Sequence, residues 1–314
     1  MLSFIFKRFI SLSLSLVAAS VVIFLVIEVI PGDPASFMLG MNAQPDTVAA
    51  LREQLGLNLP LAVRYFNWVF GMMHGDFGIS YTYKVPVSTL IADRAWVSLP
   101  LALYALALST LIAFPVGVLA ASKRNSATDV SIMGATQLGI AVPNFWFAML
   151  LVMVFAISLR WFSAGGFPGW DQGFFAGMKA LTLPAIALAL PQASILARVM
   201  RSSLLDTLHE DYIRTARAKG LTRARIILRH ALPNAILPII AMIGIDVGIF
   251  MGGIVVVESV FGWPGIGQLT WQAIQRVDIP IIMGVTLVSA TAIVLGNLLA
   301  DIISLFVDPR IRVR

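Results

Sequence analysis

The sequence predicts an all-α integral membrane protein with about six transmembrane helices. Of its 314 residues, 59% are hydrophobic and only 12% are charged, and the mean hydropathy is +0.89. A soluble domain has roughly 25% charged residues and 45–50% apolar ones. The chain therefore has more apolar surface than a water-soluble core could bury, and lipid must cover the rest.

Six apolar stretches are long enough to cross a bilayer, whose hydrocarbon core requires roughly 20 helical residues. They run near Phe9–Ile30, Trp96–Ala121, Ile132–Ile157, Ala180–Leu196, Ala235–Val257 and Ile279–Phe306. The first stretch follows the basic pair Lys7 and Arg8, as in a signal peptide. Its apolar character continues beyond the roughly 7–15 residues of a signal-peptide core, so we expect a retained membrane helix.

The distribution of charge predicts that both termini are cytoplasmic. With this orientation the inner segments hold 15 Lys and Arg residues, and the short outer segments hold 3. The long outer loop is left out because such loops cross the membrane regardless of charge. Five tryptophans fall at the predicted outer ends, where amphipathic rings favour the headgroups. They are Trp96, Trp161, Trp170, Trp263 and Trp271.

Three segments follow from this topology. Residues 1–95 form an N-terminal transmembrane helix and a long extracytoplasmic loop, residues 96–306 a five-helix core, and residues 307–314 a cytoplasmic tail. The outer loop contains two helix signals. Asp46 is a candidate N-cap for a helix that ends at Gly56, and a second helix starts at Pro60 and ends before the turn at 75–78.

Several catalytic classes lack their residues in this chain. There is no cysteine, so thiol chemistry and disulfides are excluded. No Gly-Lys dipeptide occurs, so a phosphate-binding P-loop is absent, as are the His-Glu-x-x-His and Gly-x-Ser-x-Gly motifs. We therefore expect a protein that is not itself an enzyme and that binds no cofactor or metal.

The cytoplasmic loop 198–234 contains the clearest functional signal. Residues 207–210 fit a capping box, and a short helix is predicted from there to Lys219, with Gly220 as its left-handed end. Ile213, Ala216 and Gly220 share one stripe of this helix. Small residues on that stripe are expected to let the backbone of another protein approach closely.

The same helix has a second interpretation, because a basic amphipathic helix also binds anionic lipid. A nucleic-acid role is disfavoured, since Tyr212 is the one aromatic residue available for base stacking there.

The fifth span contains a candidate translocation path. It comprises Asp246, Met251, Gly252 and Gly253. Asp246 lies in mid-span, where a carboxylate facing lipid is costly. Its functional interpretation is contact with substrate, for example with the amino terminus of a peptide. Its structural interpretation is a hydrogen bond to a neighbouring helix, and the sequence does not separate the two.

Residues 212–235, YIRTARAKGLTRARIILRHALPNA, resemble the cytoplasmic EAA loop of ABC importer permeases. Aligned on Gly220, Arg214-Thr215-Ala216 stands for the Glu-Ala-Ala triplet and His230-Ala231-Leu232-Pro233 for the closing Ile-x-Leu-Pro. These differences from the general EAA pattern are similar to those of the dipeptide/oligopeptide permease branch of the family, and the chain resembles the first of that branch's two permease subunits. Four further runs resemble markers of that branch: residues 31–34, 75–78, 258–267 and 308–312.

The resemblance implies a type I ABC importer permease in the bacterial cytoplasmic membrane. Its partners would be a homologous second permease, two ATPase subunits that hold ATP and magnesium, an extracytoplasmic solute-binding protein and membrane lipid, with no nucleic acid. The substrate would be a peptide, with nickel chelates, glutathione or opines as alternatives. The coupling helix would include Glu210, Tyr212, Ile213, Arg214, Thr215, Ala216, Arg217, Ala218, Lys219 and Gly220.

Two other functions remain open at this point. An ion- or proton-coupled secondary transporter would require inverted repeats and buried acidic relays, and the sequence has no evident repeat. A membrane scaffold without transport activity would also account for a docking helix.

Overall fold

The structure, a computed structural model, describes residues 2–29, 33–39 and 44–307. In chain order its helices are α1 (Leu2–Val29), α2 (Pro34–Leu39), α3 (Pro45–Gln54), α4 (Leu61–Met73), α5 (Val87–Ser122), α6 (Ala127–Ala141), α7 (Asn144–Leu151), α8 (Phe174–Thr207), α9 (Asp211–Ala218), α10 (Arg223–Arg225), α11 (Leu232–Ala235), α12 (Leu237–Phe261), α13 (Ile266–Gln275) and α14 (Ile279–Val307). Two π-helical segments, Val152–Ser158 and Ile226–Ala231, continue α7 and α10.

Five of these helices are long and apolar enough to cross a membrane: α1, α5, α8, α12 and α14. The pair α6 and α7 forms a sixth span if its two bent parts are counted together. The prediction of an all-α membrane protein with about six transmembrane helices is therefore confirmed. The marker run 308–312 and all of the predicted tail 307–314 except Val307, the last residue of α14, lie outside the described residues, as do Pro31 and Gly32.

The second and fourth spans are longer than predicted. Helix α5 has 36 residues and α8 has 34, so each is about 50 Å long and extends beyond a hydrocarbon core of about 30 Å. Asp93 and Arg94 interrupt the apolar stretch before Trp96, but charged residues are compatible with helix, and α5 already begins at Val87. The segment boundary predicted after residue 95 therefore lies inside α5.

The third predicted span, 132–157, is not a straight helix. Helices α6 and α7 meet at an angle of 99°. Val142 between them has an extended backbone, as expected for a residue before proline, and Pro143 lacks the N–H that would continue the helix.

The described residues between α1 and α5 fold largely as predicted, with one correction. Helix α4 follows Pro60 as expected, and the hydroxyls of Ser20 and Tyr65 lie 2.8 Å apart, which fastens it to α1. Helix α3 starts at Pro45, so Asp46 lies in its first turn and the N-cap is Gln44. Proline takes the first helical position readily, because the N–H that it lacks would have no partner there.

The centre of the molecule is the contact between α5 and α8, the most extensive between any two described helices. Buried small and branched residues of both helices form it, among them Leu101, Ala105, Leu181, Ala185 and Leu188. Helix α12 packs against both, and α14 and α1 follow outward. The two ends of this bundle hold the polar clusters described next.

Candidate functional site

Helix α9 lies at one end of the bundle, between α8 and α10. Glu210 precedes it with an extended backbone, and Lys219 follows its last residue. Gly220 has a φ of +75° and donates its N–H to the carbonyl of Arg217 at 2.9 Å. The short helix and its glycine end are therefore present where the sequence predicted them.

The capping box predicted for residues 207–210 is wrong. Thr207 is the last residue of α8, and its hydroxyl donates to the carbonyl of Ser203 at 2.8 Å. Glu210 makes no side-chain cap hydrogen bond to the described residues. Because α8 extends this far, the threonine satisfies a carbonyl of its own helix and does not start the next one.

The small-residue stripe of α9 packs against this chain. Ile213 and Ala216 are buried with Leu204 of α8, Ala121 of α5, and Ile226 and Ala231 of the following segment. The expectation that another protein's backbone approaches this stripe is therefore wrong at Ile213 and Ala216, whereas Gly220 is exposed. An apolar stripe on so short a helix stabilises it best against the nearest core, which its own chain supplies.

The opposite face of α9 is exposed and charged. Its solvent-facing members are Glu210, Asp211, Tyr212, Arg214, Thr215, Arg217, Ala218, Lys219 and Gly220. Arg214 and Asp211 form an exposed ion pair at 3.1 Å. Such a pair contributes little to stability, so both groups are available to another surface.

Polar contacts connect the α9 region to the ends of the long helices. The guanidinium of Arg223 donates to the carbonyl of Ser122, the last residue of α5. Arg217 donates to the carbonyl of Leu208 at 3.3 Å. Carbonyls at a helix C-terminus have no intrahelical partner, and cations stabilise them. Helix α10 is thus held to the end of α5, and α9 to the end of α8.

A charge pair connects the start of α6 to α8 at the same end of the bundle. Arg201 donates two hydrogen bonds to Asp129, at 2.6 and 2.7 Å. The Asp129 side chain is 4% exposed and that of Arg201 23%. The N–H of Asn125 also donates to Asp129, at 3.0 Å. Sequence reasoning did not identify this pair, because the two residues are 72 positions apart.

The predicted path residues lie along α12 and point in different directions. Asp246 is fully buried, and Gln192 of α8 donates a hydrogen bond to its Oδ1. Its Oδ2 has no hydrogen-bond partner among the described residues. Met251 packs against the core, Gly253 approaches Leu188, and Gly252 faces open space. Of these residues Gly252 is exposed, and Asp246 belongs to a contact between helices.

The other end of the bundle is organised by Glu258, which is buried in the last turns of α12. The hydroxyl of Ser98 on α5 donates to one carboxylate oxygen, and the N–H of Gln268 donates to the other at 3.1 Å. Ser98 in turn accepts the N–H of Ile266 at 2.8 Å. Residues of α5 and α12 thus satisfy the free N–H groups that begin α13. A Cβ on Gly265 would overlap the carboxylate, so a larger residue there would displace Glu258 from this position.

A second buried carboxylate, Asp278, fastens the hairpin 79–86 at the same end. It accepts the hydroxyl of Ser80 at 2.6 Å, the N–H of Thr82 at 2.8 Å and the N–H of Tyr81 at 3.2 Å. Burial, together with the negative charge of Asp278, raises the pKa of the Tyr81 phenol to about 12. The phenol is therefore neutral at physiological pH.

These clusters hold neighbouring elements of the bundle together. No group of three or more His, Asp or Glu side chains within the described ranges could hold a metal ion. Sequence reasoning recognised the run that contains Glu258 as a family marker but did not assign the carboxylate a role. The spacing of that run, with Gly265 and Gly267 after the acid, was the available signal.

Comparison with known proteins identifies the family. A model for the binding-protein-dependent transport system inner membrane component matches residues 113–313. A second model, for the N-terminal part of such membrane components, matches residues 1–102. The fold and these matches define a membrane permease subunit. The chain belongs to the family of binding-protein-dependent transport system inner membrane components, and it is a multi-pass protein of the inner membrane.

Individual relatives match along the whole chain. It is 40% identical over 314 residues to the oligopeptide transport system permease protein AppB of Bacillus subtilis, and the match covers 99% of both chains. It is 38% identical over 338 residues to the dipeptide transport system permease protein DppB of Escherichia coli K12, with the same coverage. The resemblance to dipeptide and oligopeptide permeases is therefore confirmed.

The fold also matches a solved structure. The inward facing MetNI methionine ABC transporter aligns with a TM-score of 0.59 at 18% identity. The alignment covers 70% of this chain and 96% of that one. The predicted type I importer permease fold is therefore confirmed.

Proposed function

We propose that this chain is the permease subunit of an ATP-driven importer of peptides, coupled to ATP hydrolysis on partner subunits through α9. The structure of α9 carries this proposal. One face is buried against α5, α8 and the segment leading to α12, and the other face is charged and exposed. A force applied to the exposed face of α9 is therefore passed on to three long helices, α5, α8 and α12.

The partners in this proposal are a homologous second permease, two ATPase subunits that bind ATP and magnesium, and an extracytoplasmic solute-binding protein. Family membership supports them, since the family is defined by binding-protein-dependent transport. The absence of a P-loop from the sequence supports nucleotide binding on other chains. The peptide substrate rests on relatives that are named for oligopeptide and dipeptide transport.

Helix α12 forms part of the path wall in this proposal. Gly252 supplies an open, exposed backbone, Met251 and Gly253 lie beside it, and Asp246 holds α12 to α8. Moving α9 would then tilt α12 and alter access to the path, as alternating access requires.

Cross-linking tests the coupling role. The chain has no cysteine, so a single Thr215→Cys supplies one exposed thiol on α9. In the assembled transporter we expect a short bifunctional reagent to join this thiol to an ATPase subunit. Ser163→Cys, on an exposed loop at the other end of the bundle, is the matched control and should give no such product. Absence of the product with Thr215→Cys would contradict the proposal.

Uptake into liposomes tests the energy source and the substrate. Transport of labelled peptide should require ATP together with the ATPase subunits. An ion gradient that drives uptake without ATP would contradict the proposal and favour a secondary transporter. If a nickel chelate, glutathione or an opine is taken up in the same assay and peptides are not, the substrate would be that solute and not a peptide.

A further inference from the structure

A polar contact links the exposed face of α9 to α11, the short helix that leads into α12. The amide nitrogen of Asn234, on α11, donates to the hydroxyl of Tyr212 at 2.8 Å. The carbonyl of His230 lies 3.3 Å from the same nitrogen and 3.4 Å from the hydroxyl. The contact joins residues that are 22 positions apart and closes α9 onto α11.

The next residue of α11 is attached to a different helix. The hydroxyl of Ser203 on α8 donates to the carbonyl of Ala235 at 2.8 Å. Asn234 and Ala235 are therefore held from two sides, by α9 and by α8. Only Ile236 separates them from the first residue of α12.

The backbone on the α9 side of this junction is irregular. Residues 226–231 are π-helical, and Pro233 lacks an N–H to donate. Prolines remove hydrogen bonds from a helix and allow it to bend. The backbone from α10 to α11 is thus less stiff than a regular helix, and the side-chain contact gives α9 a shorter route to α12.

We propose that Tyr212 and Asn234 are positioning residues that transmit the movement of α9 to α12. This inference rests on the proposed function, because α9 must be the element that the ATPase subunits move. The Tyr212 side chain contributes through its hydroxyl, and the residue is 41% exposed. Removing that hydroxyl therefore creates no cavity in the core, and the fold should survive the change.

The measurement that separates coupling from stability is the number of ATP molecules hydrolysed per peptide transported. Tyr212→Phe and Asn234→Ala should each raise that number by about three- to five-fold, the effect of losing one hydrogen bond worth about 1 kcal/mol. Both variants should lower the thermal stability of the parent complex only slightly, since the contact is at the surface. The double variant should show no further loss, because both changes remove the same contact.

Tyr65→Phe is the matched control. It also removes a tyrosine hydroxyl with a 2.8 Å partner, Ser20, but at the other end of the chain. Its ATP-to-peptide ratio should equal that of the parent. An unchanged ratio in Tyr212→Phe, with the Thr215→Cys cross-link still forming, would overturn this inference alone. If Thr215→Cys gives no cross-link to an ATPase subunit when Tyr212 and Asn234 are unchanged, the proposed function itself would be overturned.

Discussion

At the scale of single residues, the buried carboxylates differ in how well their oxygens are satisfied. Asp278 and Glu258 each accept hydrogen bonds at both oxygens. Asp246 accepts one from Gln192, and its second oxygen has no partner among the described residues. A buried carboxylate without full pairing destabilises a fold, so favourable packing elsewhere must offset its cost.

Asp246→Asn distinguishes the two interpretations of this residue. Asparagine keeps an oxygen that accepts from Gln192 and removes the ionisable group. We expect the free energy of unfolding to be unchanged or higher, and peptide uptake to stay within about two-fold of the parent. Asp246→Leu leaves Gln192 without its partner and should cost about 1–3 kcal/mol. Thermal unfolding in detergent and uptake in liposomes measure both.

An Asp246→Asn variant that folds normally but no longer transports would contradict the structural interpretation. The carboxylate would then contact substrate directly. Gln192→Glu serves as the reciprocal variant: it places a second acid beside Asp246, and the repulsion should destabilise the protein.

The structural role of a residue was predictable where local backbone chemistry decides it, and less so where packing decides it. Gly220 and Pro60 end and begin helices as their backbone preferences require. Trp263 was expected at the membrane interface but is buried against Phe167 in the core. The difference arises because Gly262 turns the chain inward after α12, and a position at a helix end does not encode that direction.

At the scale of elements, the bent pair α6 and α7 is the least regular part of the transmembrane region. The Asp129–Arg201 pair fixes the start of α6 to α8, and the amide of Gln137 accepts from Arg198 one helical turn earlier on α8, at 2.8 Å. The proline that breaks the pair was visible in the sequence. The angle of 99° was not, because it depends on how α6 packs along α8.

Removing the Asp129–Arg201 pair should loosen α6. Asp129→Asn and Arg201→Gln should each cost about 1.5–3 kcal/mol, the usual range for hydrogen bonds to charged groups. Thermal unfolding of the purified protein in detergent measures the change. The reversed pair, Asp129→Arg with Arg201→Asp, should recover part of the loss. It should not recover all, because the N–H of Asn125 also donates to Asp129.

Arg198→Gln is the control for this prediction. It removes a neighbouring arginine of the same helix whose partner is a neutral amide, and it should cost less than either change in the pair. Equal losses in the free energy of unfolding for all three variants would show that the charge pair stabilises the protein no more than a hydrogen bond to a neutral amide does.

At the scale of the whole molecule, the bundle has two distinct ends. One carries α9, the last turn of α5, which contains Ala121, and the Asp129–Arg201 pair. The other carries α13, the hairpin 79–86 and the loop 159–173. In that loop the indole N–H of Trp170 donates to the carbonyl of Trp96 at 2.8 Å, and the N–H of Gly166 donates to Phe261 at 3.1 Å. Hydropathy found the spans, but only the fold brings these distant residues together.

Because α6 starts at the α9 end and the loop after α7 lies at the other end, the bent pair should cross the membrane fully. A re-entrant pair would return to the side on which it began. Six crossings place both termini on one side, as the distribution of positive charge predicts. The natural absence of cysteine makes labelling with a membrane-impermeant maleimide a direct test. In intact cells Ser163→Cys should react and Lys123→Cys should not, with the reverse in inside-out vesicles. Reaction of both thiols from the same side would show a re-entrant pair and five crossings.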